Sequence, residues 1–228
     1  MRIFIILFLT FYGFAEVRAN TCVGLFGDSK ELAAKDSIQF DQSISAYFQN
    51  KKVISILGSS RIKEEDPIYK LTYDISFQLG ELGYSILTGG GPGVMDAANK
   101  AAFKSKTHSI GIELNSPWAR HPTTFIDRLF VFDDLQIRKK LFLSVSKAWV
   151  VMPGGLGSLD EVFSIIGSVY SGQTPRKPLI LVNRKFWTPL LDVIHQTLIS
   201  EYKTAKATDL DFVHIVDSYK EVQDILSQ

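Results

Sequence analysis

Small and acidic residues that could hold a phosphate beside a carboxylate lie together in residues 150–163, VVMPGGLGSLDEVF. Three glycines separate an apolar run from a helix-like segment, and two carboxylates follow within one helical turn. Glycine lets a ligand approach the backbone closely, and a helix N-terminus offers free N–H groups and a partial positive charge to phosphate. Neighbouring residues on a helix point about 100° apart. We therefore expect only one of Asp160 and Glu161 to face a ligand in the loop.

Two other turns of small residues also follow apolar runs, GSSR at residues 58–61 and GGGPGVM at residues 89–95. One glycine-rich turn is more often only a tight turn, but three at the ends of strands in one sheet favour a phosphate site. The dinucleotide motif is excluded because Val94 and Asp160 stand where it requires its third glycine, and no turn ends in the GK[ST] of a P-loop. The turns thus predict a phosphate site without the usual cofactor signatures.

Arg138 and Lys139 lie on a predicted helix just before the apolar run AWVVM. The guanidinium of an arginine can hold a phosphate or a carboxylate through two hydrogen bonds. By their types alone, the two residues more often belong to a solvated basic patch. Asp160 and Glu161 likewise fit a simpler function, because acids in the first turn of a helix interact favourably with its dipole.

The elements that must position these groups alternate as strand and helix along the chain. The predicted strands contain CVGLF, KVISILGSSR, YSILTGGG, HSIGIEL, AWVVM, KPLILVN and FVHIVD. The predicted helices cover residues 29–49 and the segments PIYKLTYDISFQLGELG, GVMDAANKAAFKS, LQIRKKLFLSVS, SLDEVFSIIGSVYSG, FWTPLLDVIHQTLIS and YKEVQDILSQ. Short connections indicate parallel pairing, and near-continuous apolar runs indicate strands covered on both faces. The sequence predicts an α/β fold, a doubly wound (Rossmann-like) parallel sheet in a single domain, with ligands at the carboxyl ends of the strands.

Composition excludes several classes of function. The 228 residues carry a net charge of +1, which argues against a nucleic-acid surface or a polybasic membrane patch. A single cysteine, Cys22, excludes an internal disulfide and a cysteine metal cluster. The four histidines are scattered along the chain without an HExxH pair. We expect no nucleic-acid partner, no metal and no cofactor.

Residues 1–20 differ from the rest of the chain, with a basic Arg2 followed by an apolar run. The run is short for a bilayer span and fits the apolar region of a secretory signal, although a buried or partner-covered helix fits it as well. We expect a hydrophobic segment at residues 1–20 and one nucleotide-binding catalytic domain at residues 21–228. The expected location is cytoplasmic, with export or membrane tethering through residues 1–20 as the alternative.

The segment PGGLGSLDE resembles the PGGxGTxxE signature of the LONELY GUY (LOG) family, phosphoribohydrolases that act on nucleoside 5′-monophosphates, including cytokinin nucleotides. TGGGPGVMDAANKAA resembles the first glycine loop of that family, and IRKKLFLSVSKAWVVMPGG resembles its Arg-Lys helix and the strand that follows. The similarity covers roughly residues 53–195 and extends to GIEL and RKPLILVNRKFW. Many relatives are called lysine decarboxylase-like, but no lysine here stands out as an anchor for pyridoxal phosphate.

The resemblance implies that Glu161 is the catalytic carboxylate near the ribose and that Arg138 is a catalytic or substrate-orienting arginine. It also implies a set of substrate-binding residues: Ser59, Arg61, Gly89, Gly90, Gly91, Gly93, Met95, Lys139, Gly154, Gly155, Leu156, Gly157 and Ser158. Ser158 stands where the family usually has threonine, and the hydroxyl group is retained. Residues 115–134 lack the Pro-Arg-Glu stretch of the plant enzymes and are more similar to longer bacterial relatives.

The reaction implied by the resemblance is hydrolysis of the N-glycosidic bond of AMP or of a cytokinin riboside 5′-monophosphate. Free base and ribose 5-phosphate would be the products. The alternative is a protein on the same fold that binds or carries a nucleotide or molybdenum cofactor without turnover. The family also implies a homodimer or a higher homo-oligomer.

Overall fold

The computed structural model describes residues 44–115 and 123–228 of the chain. The chain divides into two units, Met1–Asn50 and Lys51–Gln228. In the described part of the first unit, residues 44–48 are helical. The hydrophobic segment 1–20, the strand predicted at CVGLF and most of the helix predicted for residues 29–49 lie outside the described residues. The domain boundary after residue 20 therefore stays a prediction.

Strands and helices alternate through the second unit. The strands are β1 (Val53–Leu57), β2 (Ser85–Thr88), β3 (Ser109–Leu114), β4 (Arg128–Phe132), β5 (Ser146–Val151), β6 (Leu179–Val182) and β7 (Val213–Val216). The α-helices are α1 (Pro67–Glu81), α2 (Val94–Lys104), α3 (Leu135–Val145), α4 (Leu156–Tyr170), α5 (Arg184–Ile194) and α6 (Tyr219–Leu226). A π-helical segment, His195–Glu201, follows α5, and a 3₁₀ turn, Ala207–Leu210, precedes β7.

The seven strands form one sheet in the order β4-β3-β2-β1-β5-β6-β7, and every neighbouring pair is parallel. The chain builds outward from β1 in one direction and then returns to build from β5 in the other. This is the doubly wound, Rossmann-like α/β fold that the sequence predicts, and the whole sheet lies in one domain. The strand order reverses at β1, which is where such folds open a crevice for ligands.

The apolar runs that the sequence marks as strands form the centre of the core. All five residues of β1 and all four of β6 are buried, as expected for strands with helices on both faces. Helix α1 begins at Pro67 after Asp66, whose carboxylate accepts the N–H of Ile68 and so caps the helix. Among the described residues, no helix combines the length and the apolar composition needed to cross a bilayer.

Strand β4 is the one element of the sheet that the sequence analysis missed. It lies at the edge, and Arg128, Leu129 and Val131 are exposed while only Phe132 is buried. Residues 129–132, LFVF, are apolar, but so short a run does not by itself distinguish a strand from other apolar segments. Helix α4 also begins at Leu156, two residues before the predicted start at Ser158, so that Gly157 lies inside its first turn.

Candidate active site

A cleft of about 520 Å³ opens at the carboxyl ends of β1, β2 and β5. Its volume lies within the range of small-molecule sites. The lining residues come from all three turns of small residues, together with α3 and α4: Leu57, Gly58, Ser59, Ser60, Arg61, Gly89, Met95, Arg138, Gly155, Leu156, Gly157, Ser158 and Glu161. The fold thus brings the three turns together at one place.

The N-terminus of α4 forms one wall of the cleft. Gly155 precedes the helix and offers no side chain to cap it, and the first helical bond runs from Leu159 N–H to Gly155 C=O at 3.0 Å. The N–H groups of residues 156–158 therefore have no acceptor within the helix. A Cβ atom added to Gly155 or Gly157 would meet nothing within 4 Å. This wall can accept an anion directly on its backbone.

Gly154 lies behind that wall and does not line the cleft. A Cβ atom on Gly154 would lie 2.1 Å from the hydroxyl oxygen of Ser158, so glycine is needed there for packing. The neighbouring Pro153 carbonyl accepts the N–H of Ser59 at 3.2 Å. This bond joins the turn after β5 to the turn after β1.

Glu161 and Arg138 lie close together in the lining of the cleft. Glu161 Oε1 lies 3.8 Å from Arg138 Nη1, and the two side chains are only 18% and 14% exposed. Arg138 Nε donates to the Ile112 carbonyl at 2.9 Å, and its guanidinium lies 5.3 Å from the centre of the Phe142 ring. These contacts hold the arginine in place without using the group nearest to Glu161.

The pKa values of this pair are shifted by burial. Burial raises the pKa of Glu161 to about 7, and the positive charge of Arg138 offsets only part of that shift. Burial also lowers the pKa of Arg138, and the charge of Glu161 opposes that change. Near neutral pH, Glu161 is present in both protonated and ionised forms. It can therefore accept or donate a proton during a reaction.

Asp160 points away from the cleft, which matches the expectation that the two neighbouring acids face different directions. Its Oδ2 lies 2.7 Å from Lys139 Nζ, and its side chain is half exposed. Lys139 also donates to Ser164 Oγ at 3.2 Å. Lys139 is thus held against α4 and does not line the cleft.

The glycine loop at residues 89–93 supports the cleft mostly from behind. Gly89 alone of its glycines lines the cleft, and a Cβ atom there would lie 2.5 Å from Arg138 Nη2. Gly93 has a φ of +73°, and a Cβ atom on it would lie 2.5 Å from the Ser59 carbonyl oxygen. That carbonyl already accepts the N–H of Val94 at 3.0 Å. The start of α2 therefore packs tightly against the turn after β1 and is hydrogen-bonded to it.

Ten of the predicted site residues line the cleft: Ser59, Arg61, Gly89, Met95, Arg138, Gly155, Leu156, Gly157, Ser158 and Glu161. Gly90, Gly91, Gly93, Lys139 and Gly154 do not. The cleft also includes three residues that were not predicted, Leu57, Gly58 and Ser60. The GSSR turn could have indicated Gly58 and Ser60. No local signal marks Leu57, which is a buried residue at the end of β1.

Within the described ranges, no three His, Cys, Asp or Glu side chains lie close enough together to hold a metal ion. A model of the protein family described as "possible lysine decarboxylase" matches residues 95–226 of the chain.

Among characterised proteins, the chain is 26% identical over 138 residues to the pyrimidine/purine nucleotide 5′-monophosphate nucleosidase of Escherichia coli K12. That match covers 56% of this chain and 30% of the relative. It is 29% identical over 121 residues to the cytokinin riboside 5′-monophosphate phosphoribohydrolase of Mycobacterium tuberculosis, covering 51% of this chain and 63% of the relative. The chain therefore spans less than two thirds of the length of either protein.

Solved structures with the same fold include the molybdenum cofactor binding protein of Rippkaea orientalis, with a TM-score of 0.60 and 21% identity. The match covers 78% of this chain and 96% of that one. The molybdenum cofactor carrier protein of Chlamydomonas reinhardtii gives a TM-score of 0.58 at 20% identity, covering 78% and 100% of the two chains. At this level of identity the likeness concerns the fold.

Proposed function

The chain belongs to the LONELY GUY family, whose model carries the description "possible lysine decarboxylase", and we propose that it hydrolyses the N-glycosidic bond of nucleoside 5′-monophosphates. The products would be free base and ribose 5-phosphate, from AMP or a cytokinin riboside 5′-monophosphate. One observation carries the proposal: a buried carboxylate, Glu161, with a pKa of about 7 shares a cleft with an uncapped helix N-terminus. The names of the relatives, nucleosidase and phosphoribohydrolase, support it.

The 5′-phosphate is assigned to the N-terminus of α4. The backbone N–H groups of Leu156, Gly157 and Ser158 and the Ser158 hydroxyl supply donors there, and the helix dipole favours a negative charge. Gly155 and Gly157 leave room for phosphate oxygens because nothing lies where their side chains would be. Binding energy from the phosphate, which does not react, then fixes the sugar beside Glu161.

The proposed chemistry breaks the bond between C1′ and the base nitrogen through an oxocarbenium-like state. Ionised Glu161 stabilises the positive charge that develops at C1′ and accepts a proton from the attacking water. The water oxygen bonds to C1′, the base leaves with the electron pair of the broken bond and takes up a proton from solvent, and Glu161 returns the proton of the attacking water to solvent. Arg138 orients Glu161 across their 3.8 Å contact and favours its ionised form.

A lysine decarboxylase with pyridoxal phosphate is not supported by the residues of this site. Such an enzyme needs a lysine that can form a Schiff base with the cofactor. Among the described residues that line the cleft there is no lysine. Lys139, which directly follows Arg138 in the sequence, contacts Asp160 and Ser164 instead.

The direct test is to incubate the purified chain with AMP, GMP, CMP and UMP and to measure free base and ribose 5-phosphate by chromatography. We expect base release from at least one monophosphate and little from the matching nucleosides, which lack the phosphate. Glu161→Gln should lower kcat/KM by about a thousandfold, a loss typical of removing a group that acts in the transition state. The matched control is Asp160→Asn, which changes the adjacent acid on the exposed side and should stay within about twofold.

No base release from any nucleotide by the wild-type chain would contradict the proposal. Nucleotide binding without product would favour the alternative, a carrier without turnover. A wild-type rate in Glu161→Gln would remove Glu161 from the mechanism.

The chain is also proposed to form a homodimer through α4. Leu156, Phe163 and Tyr170 recur every seven residues on this helix and are 86%, 47% and 69% exposed. Apolar residues at heptad spacing can pack against a second helix of the same kind around a two-fold axis. A molar mass of a single chain by light scattering would contradict this arrangement.

A further inference from the structure

Gly90 is held through both of its backbone polar groups. Its N–H donates to Thr88 Oγ1 at 2.9 Å, and its carbonyl accepts the N–H of Thr123 at 3.0 Å. Its φ of +79° is a conformation that glycine adopts without steric cost. The two threonines together form a clamp on this residue, and we call Thr88 and Thr123 the Gly90 clamp.

Helix α2 anchors both halves of the Gly90 clamp with polar side chains one turn apart. Thr88 Oγ1 donates to Asn99 Oδ1 at 2.5 Å, and Asn99 Nδ2 donates onward to Ser109 Oγ at 2.9 Å. Thr123 Oγ1 donates to Asp96 Oδ1. Residues three apart on a helix lie on the same face. One face of α2 therefore fixes both threonines.

The position of Gly90 matters for the cleft because the preceding residue, Gly89, lies directly against Arg138. A Cβ atom on Gly89 would lie 2.5 Å from Arg138 Nη2, so the guanidinium rests on the bare backbone. A shift of this backbone changes where Arg138 can lie, and with it the 3.8 Å contact to Glu161.

We propose that Thr123, fixed by Asp96, is a positioning residue of the site, because it holds Gly90 and thereby keeps the Gly89 backbone under Arg138. Thr123 is not among the residues that line the cleft. Its effect on rate rests on the function proposed above, whereas its effect on the loop does not.

The carboxylate of Asp96 offers an internal control, because its second oxygen makes a comparable bond elsewhere. The Tyr69 hydroxyl donates to Asp96 Oδ2 at 2.5 Å, and burial together with this bond raises the pKa of Tyr69. Tyr69 belongs to α1 and joins α1 to α2. Removing its hydroxyl should weaken the packing of these two helices and leave the Gly90 clamp in place.

The test compares Thr123→Val, Thr123→Ser and Tyr69→Phe with the wild type. Valine keeps the shape of threonine and loses the bond to Asp96, so kcat should fall by about tenfold with a smaller change in KM. The backbone amide at position 123 should exchange its hydrogen about tenfold faster, after correction for intrinsic rates, because its bond to Gly90 loosens. Serine restores the hydroxyl and should return both quantities to within about twofold of the wild type.

Tyr69→Phe should lower the unfolding temperature while kcat stays within about twofold, which separates positioning from general stability. Unchanged kcat and unchanged amide exchange in Thr123→Val would overturn the proposal. So would a loss of kcat in Tyr69→Phe as large as that in Thr123→Val.

A wild-type chain that releases no base would end the proposed function and leave this inference testable. In that case the amide exchange at position 123 and the affinity for AMP, measured by calorimetry, replace kcat. Faster exchange with weaker AMP binding in Thr123→Val alone would support the positioning role, and no change in either would contradict it.

Discussion

The glycine-rich stretches at residues 89–93 and 153–157, called here the first and second loops, each continue into a helix, and the second includes the first two residues of α4, but their surroundings differ. In the first loop, a Cβ atom on Gly93 would lie 2.5 Å from the Ser59 carbonyl oxygen, and one on Gly91 would lie 2.9 Å from Met95 Cε. In the second loop, Gly155 and Gly157 have nothing within 4 Å of that position. Close packing requires glycine at Gly93 in the first loop and at Gly154 in the second, whereas Gly155 and Gly157 leave open space.

This difference separates two functions that a glycine-rich sequence alone does not distinguish. Backbone N–H groups in and directly after the first loop already have acceptors in the protein. The N–H of Gly90 donates to Thr88, and the N–H of Val94 donates to Ser59. Neither α2 nor α4 has a side-chain cap, so the difference is that the first N–H of α2 is bonded to the backbone of the turn after β1. We therefore regard the first loop as a support for Arg138 and the second as the surface that binds the ligand.

The largest expected effect is on the free energy of unfolding, from Gly93→Ala in the first loop, residues 89–93. Alanine at a φ of +73° is strained, and its Cβ would collide with a backbone oxygen, so the free energy of unfolding should fall by about 4 kcal/mol. Gly157→Ala is the matched control in the second loop, and it should change stability by less than about 1 kcal/mol. Urea denaturation measures both, and equal losses would erase the distinction between the loops.

A smaller effect, about 3 kcal/mol in the free energy of unfolding, is expected from ionisation of Glu161, which follows the second loop. Its folded pKa of about 7 lies above the ordinary 4.5, so folding favours the protonated form of Glu161. Its contribution is fully present below pH 4.5 and is lost as pH rises to about 7. When the free energy of unfolding is plotted against pH, the wild type should therefore lose stability relative to Glu161→Gln between pH 4.5 and about 7. Outside that range the two plots should run parallel. Unfolding curves that stay parallel from pH 4 to pH 8 would show that Glu161 is solvated.

The smallest of these effects, about 2 kcal/mol or thirtyfold in affinity for AMP, is expected for Leu156→Pro. Proline suits the first position of a helix, and Gly155 before it is already extended, with φ −95° and ψ −158°. The substitution therefore removes a single N–H from the second loop. Leu156→Ala removes the same side chain and keeps the N–H. Equal AMP affinities in calorimetry would mean that this N–H does not bind the phosphate.

Most of the fold could be predicted because the central strands are short and nearly continuous apolar runs. VISIL and LILV are buried along their whole length, and burial on both faces leaves a signal in the sequence. Strand β4 was not predicted although it contains the apolar run LFVF. Leu129 and Val131 are exposed at the edge of the sheet, and a short apolar run alone does not identify a strand.

The sequence predicts the location of the candidate site better than it predicts the contacts of its individual side chains. Turns at strand ends must meet at one edge of a parallel sheet, so the place of the cleft followed from the fold. The side chain of Lys139 was assigned to the cleft, but it bonds to Asp160, 21 residues away on another helix. Contacts between helices depend on packing, which no local pattern records.

The pairing of β1 with β5 has a consequence for how the protein is made. Val53 pairs with Ser146, and the Ser55 hydroxyl lies 2.6 Å from that of Ser146, across 91 residues of chain. Contacts that distant in sequence close slowly, whereas β1 to β3 with α1 and α2 are near neighbours along the chain. On the ribosome, the first half can assemble while β5 and α4 are still being synthesised. The cleft is therefore incomplete until the last of the three turns has emerged.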